Sequence, residues 1–250
     1  MAITSNCLMF DNQQLLYDGT GILYNEDPLN PLNLPPYTIR LLYRDGITPS
    51  FSKGTGVQVS QSPNIWDLTY NNNNWSGLLS WKHGDLLEIL GGNTTGVKNM
   101  EDMCYNCGSL VAVNIFDTSA VTTMRHMFHW CTSLSTIPLF NTISVENMRG
   151  MFYTCGHLQS VPLLNTANVT NMDGTFLGCA SLTSVPLFDT SNVTNMEDLF
   201  FSCTSLITIP LLNTSKVTNM ERVCYDCRNV ESGALALYQQ ASTQAVPPTN

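Results

Sequence analysis

Six copies of one unit, each 24 residues long, follow one another without insertion or deletion, and this strict period limits the fold more than anything else in the chain. Cys107, Cys131, Cys155, Cys179, Cys203 and Cys227 keep the step, as do Met100, Met124, Met148, Met172, Met196 and Met220. Val97, Val121, Val145, Val169, Val193 and Val217 form a third column. A unit this short cannot enclose a core alone, so successive copies must stack and shelter one another's apolar faces. Each buried side chain contributes on the order of 1.5–3 kcal/mol. Ordering the backbone offsets most of that gain.

Residues 189–212 show the unit most clearly. Val193, Met196, Leu199, Phe200 and Cys203 share one face at helical spacing. Thr194 and Glu197 read as a capping box that starts a helix near Asn195, and Thr218 with Glu221 repeats it. Leu206, Ile209 and Leu211 follow in the manner of a short strand. The expected fold is an α/β solenoid over residues 93–236, each turn made of one short helix and one short parallel strand. Pro138, Pro162, Pro186 and Pro210 occupy one strand column, where each removes a rung of the ladder. Leu139, Leu163, Leu187 and Leu211 are expected to point inward.

The pattern N/D-T-x-x-V-x-x-M-x-x-M/L-F-x-x-C-x-x-L-x-x-V-P-L resembles the leucine-rich repeats of BspA-type bacterial surface proteins. It is similar to those encoded by gut Bacteroidales phages and mobile elements, and it covers about two-thirds of the chain. The resemblance implies a leucine-rich-repeat fold that binds host matrix or cell surfaces and carries no catalytic apparatus. The block LPPYTIRLLYRDGITPSFSKGTGVQVSQSPNIWDLTY is similar to leader segments that precede such repeats in phage proteins.

Ahead of the repeats, residues 69–92 read as a degenerate capping repeat, with residues 85–90 as its strand and Trp75, Leu78 and Leu79 as its helical part. Residues 37–68 alternate apolar and polar side chains and read as a small β-hairpin region. Residues 1–36, with Pro28, Pro31, Pro35 and Pro36, read as an extended N-terminal arm. Residues 234–238 are expected to close the last turn, and 237–250 to form a C-terminal tail. The opening residues lack a basic start and a small-residue cleavage site, so the standard secretory route is not expected.

Charged residues make up only 12% of the chain and the net charge is −9, which argues against duplex nucleic acid and anionic lipid as partners. No apolar run reaches the roughly 18–20 residues needed to span a bilayer. Two C-x-x-C pairs, Cys104/Cys107 and Cys224/Cys227, sit in the repeat columns five units apart and read as core thiols. His126 and His129 read as variable surface positions. No catalytic residue, metal or cofactor is assigned.

What remains is surface. Phe116, Phe140, Leu164, Phe188 and Leu212 are expected as an apolar binding stripe at the edge of the concave face. Tyr105, His129, Tyr153, Leu177, Phe201 and Tyr225 form a second stripe on the helical side. The plain alternative is that both rows complete the core. The expected function is a virion-associated adhesion protein: a phage fibre, appendage or decoration component. Its N-terminal region would meet other virion structural proteins, and its repeats would meet a host surface protein or glycan, with homo-oligomers left open. A bacterial cell-surface or extracellular adhesin is the first alternative, and a polysaccharide-acting enzyme the second.

Overall fold

The computed structural model describes residues 7–10, 13–17 and 22–24 as strands, and then residues 32–59, 62, 64–80 and 83–231. The expected closing segment at 234–238 and the tail at 237–250 lie outside the described residues. Within the stretch expected as an extended arm, β1 (Cys7–Phe10), β2 (Gln13–Tyr17) and β3 (Ile22–Tyr24) pair antiparallel in chain order.

A second sheet comprises β4 (Thr38–Tyr43), β5 (Thr55–Gln58), β6 (Ile65–Thr69), β7 (Leu86–Asn93) and β8 (Ala112–Val113), in the order β5-β6-β4-β7-β8. It is mixed: β7 and β8 run parallel, while the other pairs are antiparallel. Ile39, Leu41 and Tyr43 are buried, as the strand period of two requires. Strand β7 lies so close to β4 that a Cβ on Gly92 would stand 2.6 Å from the Ile39 side chain. Only glycine fits there. A bidentate Arg40–Asp67 pair at 2.7 and 2.8 Å ties β4 to β6.

The expected helix-plus-strand leucine-rich-repeat solenoid is not what the chain forms. Among the described residues there is no helix, and after residue 93 the only named strand is the two-residue β8 at the edge of the mixed sheet. Runs of turns stand where the helices were expected.

In residues 118–140 every third side chain points inward: Thr118, Val121, Met124 and Met127. After a slip of one residue come Phe128, Cys131, Leu134, Ile137 and Phe140. Several inward N–H groups donate to the carbonyl of the preceding inward residue: Val121 to Thr118, Met127 to Met124, Cys131 to Phe128 and Leu134 to Cys131, at 3.0–3.1 Å. Another set of donors leaves the coil altogether. The N–H groups of Met124, His126, Phe128 and Trp130 donate to Asn147, Arg149, Met151 and Tyr153 of the next coil, at 2.8–3.0 Å. A helix needs those donors for its own carbonyls four residues back.

Backbone handedness excludes a helix independently. Asp102, His126, Gly150, Gly174, Asp198 and Arg222 have φ between 51° and 57°. Asn106, Trp130, Thr154, Gly178, Ser202 and Asp226 have φ between 55° and 71°. Two left-handed residues per coil break any right-handed helix. The expected capping box is replaced by an Asx turn, in which Asn195 Oδ1 accepts from the Glu197 N–H at 2.9 Å. The Thr194 hydroxyl instead donates to the Thr170 carbonyl of the preceding coil at 3.1 Å.

On the opposite side the coils share few main-chain bonds, such as Gln159 to Ser135 and Ile207 to Thr183, at 3.2 and 2.9 Å. The proline column supplies no donor there. Successive coils nonetheless keep register through parallel bridges that link Asn99, Thr123, Asn147, Asn171, Asn195 and Asn219 in turn. Inside, Phe128, Phe152, Phe176 and Phe200 stack with centroids 5.7–5.9 Å apart. Trp75, Leu78 and Leu79 are buried against the first coil, joined to it by bonds such as Trp75 N–H to the Asn99 carbonyl at 2.7 Å.

Candidate functional site

The cysteine column is interior. Cys131, Cys155, Cys179 and Cys203 donate their thiols to the carbonyls of Cys104, Phe128, Phe152 and Phe176 in the preceding coil, at 3.0–3.2 Å. All four are free and buried, and burial pushes their thiols well above the usual range. Cys104 is pushed up for the same reason, and the more accessible Cys227 to about 11. Metal binding and redox exchange both need a thiolate, so this environment works against either. Among the described residues no group of three His, Cys, Asp or Glu side chains is placed to hold a metal ion.

The first expected binding stripe is inverted. Phe116, Phe140, Leu164, Phe188 and Leu212 are 1–4% exposed and belong to the core, where Phe116 meets Phe140 at 5.2 Å and Phe188 stacks on Phe176 at 6.1 Å. Their neighbours Leu139, Leu163, Leu187 and Leu211, expected to point inward, are 59–63% exposed. The reason is the period. Three-residue spacing carries Ile137 and Phe140 inward and leaves Leu139 outside, whereas a strand would have alternated them. The result is a row of leucines facing solvent, one per coil, each preceded by a proline.

The second stripe is half exposed. His129 lies flat between Tyr105 and Tyr153, with centroids at 4.6 and 4.2 Å and planes within 12°. Phe201 and Tyr225 stack at 5.1 Å, and Tyr225 is exposed. Leu177 interrupts the aromatic run between Tyr153 and Phe201.

Beside this stripe opens a cleft of about 340 Å³ that sequence reasoning missed. Gly150 and Gly174 line it in a column that carries Asp102, His126, Asp198 and Arg222 in the other coils; the space over Gly174 is open, whereas His126 fills that over Gly150. Trp130 and Tyr153 supply apolar faces, and Arg149, Asp173, Glu197 and Asp198 supply polar ones. Arg149 Nε meets Asp173 at 2.9 Å, and Asp198 is held by Arg222 at 2.9 Å. Burial raises the carboxyls of Asp173 and Asp198 against the opposing pull of those arginines. His129 is pushed down to about 4 by burial and by His126, so its ring is neutral near pH 7. The signal available beforehand was the pair of adjacent glycines in an otherwise side-chain-bearing column.

The sequence profile of a family described as "Mycoplasma protein of unknown function, DUF285" matches residues 85–184 and, overlapping them, 131–238. Together these matches span more than half of the chain. No curated protein and no solved structure gives a significant match.

Proposed function

The chain belongs to the DUF285 family, and from that premise we propose that it is a non-enzymatic adhesion protein whose stacked coils recognise a host surface protein or glycan. The observation that carries this reading is the exposed row of Leu139, Leu163, Leu187 and Leu211. The leucines recur once in each of four successive coils on the proline-bearing side, which makes them a repeated apolar row rather than scattered exposed residues. Exposed apolar surface of that kind marks a recognition face. Repetition supplies strength: the same weak contact, made once per coil, adds up when a partner engages several coils at once.

The resemblance to BspA-type surface repeats and the family match are compatible with this reading. The similarity of residues 34–70 to phage leader segments supports the finer part of the proposal, a virion-associated fibre, appendage or decoration component. Antibody detection in purified phage particles and in bacterial envelope fractions tests that placement. The proposal expects the protein on particles; detection in the envelope alone would make it a bacterial surface adhesin. Incubating the full chain with polysaccharides, followed by product analysis, tests the non-enzymatic part, and turnover would overturn it.

A further inference from the structure

We infer that the cleft over Gly174 is a binding site for an uncharged oligosaccharide, an inference that rests on the adhesion reading and gives it a ligand class. The opening lies over Gly174, where a Cβ would meet nothing closer than 3.6 Å, while His126 covers the Gly150 position and forms part of the wall. Its volume of about 340 Å³ falls in the range that encloses small ligands.

The lining fits sugar chemistry. Trp130, 45% exposed, offers a flat apolar face against which the C–H side of a pyranose can lie, and Tyr153, stacked on His129 by one face, adds an apolar wall. The Arg149–Asp173 pair presents fixed donors beside fixed acceptors, the arrangement that vicinal hydroxyls require. Charge decides between ligand classes. Asp173, Glu197 and Asp198 outnumber Arg149 and the flanking Arg222, and both arginines are already paired, which disfavours phosphate, sulfate and sialylated sugars. Arg149 and Arg222 already engage these carboxylates, which leaves little unpaired negative charge for a cationic peptide side chain.

The backbone provides an unusually clean blocking variant. Gly174 has φ +57°, and a Cβ there would meet only Tyr153 Cδ2 at 3.6 Å and Leu177 Cβ at 3.9 Å, which is ordinary contact. Asp198 holds the same column with φ 52° in the next coil. Gly174→Asn therefore fills the cleft with a residue type that tolerates this conformation. Gly150 would not serve, because its Cβ would stand 2.4 Å from His126.

The test titrates the full chain with maltotriose, chitotriose and lacto-N-tetraose, reading tryptophan emission and confirming with calorimetry. At least one of the three should bind. Gly174→Asn should weaken it on the order of tenfold or more with an unchanged melting temperature, and Trp130→Asn should abolish the emission change. The inference is overturned if none of the three binds, if Gly174→Asn binds as tightly as the native chain, or if sialyllactose or an arginine amide binds more tightly. Adhesion of the native chain to intact cells is measured alongside. Adhesion without sugar binding removes this inference and leaves the adhesion reading standing, whereas loss of both removes both.

Discussion

The thiols of Cys131, Cys155, Cys179 and Cys203 reach back one coil to a carbonyl that already accepts a local N–H; Phe128, for example, receives both Cys131 N–H and Cys155 Sγ at 3.1 Å. A small side chain with a weak donor is what that position accommodates. Burial holds these thiols neutral well above their ordinary value of 9.0. Their stabilising contribution is therefore complete below pH 9 and is lost as pH rises toward the folded-state values, because unfolded thiols ionise first. Thermal melts in reductant should show stability falling above pH 9, by about 1.4 kcal/mol per buried thiol for each pH unit. The fall should be shallower in Cys155→Ser, and a slope identical to the native one would contradict the assignment. The left-handed columns make a second prediction. Thr154, β-branched, sits at φ 57°, where the equivalent first-coil residue is Asn106 at 62°. Thr154→Asn should stabilise by about 1 kcal/mol, read as a rise in melting temperature.

At the scale of the element, the inward columns of valine, methionine and cysteine were legible because a 24-residue step leaves them no alternative register. The conformation between them was not. Val193, Met196, Leu199, Phe200 and Cys203 satisfy a helical face, yet they equally satisfy a period of three with one slip, which is what the coil uses. Asn106, Gly150, Gly174, Gly178 and Asp198 were the clue, since glycine, asparagine and aspartate at fixed column positions tolerate the left-handed region. Misreading that period also reversed the two faces of the proline segment, and with them the first binding stripe. The cleft stayed hidden because it is made where a side chain is missing and is closed by residues from four different coils. The corrected orientation is measurable: Phe188→Ala should cost about 3–5 kcal/mol. By contrast, Leu187→Asn should change stability by less than about 0.5 kcal/mol in denaturant melts. A strand with the expected alternation would give the opposite ranking.

Across the whole molecule, a mixed sheet built mainly ahead of the repeats gives way to coils in which donors on one side are handed to the next coil. Stacking of this kind repeats whatever the unit exposes, so one outward leucine per unit becomes a row along the molecule. Recognition by that row is the claim on which the functional account depends. Its most direct test is retention of the full chain on intact target cells, comparing the native protein with the Leu163→Asn/Leu187→Asn double variant. The account predicts that the variant keeps its melting temperature and loses on the order of tenfold or more in apparent affinity. Undiminished retention of a normally folded double variant would contradict it.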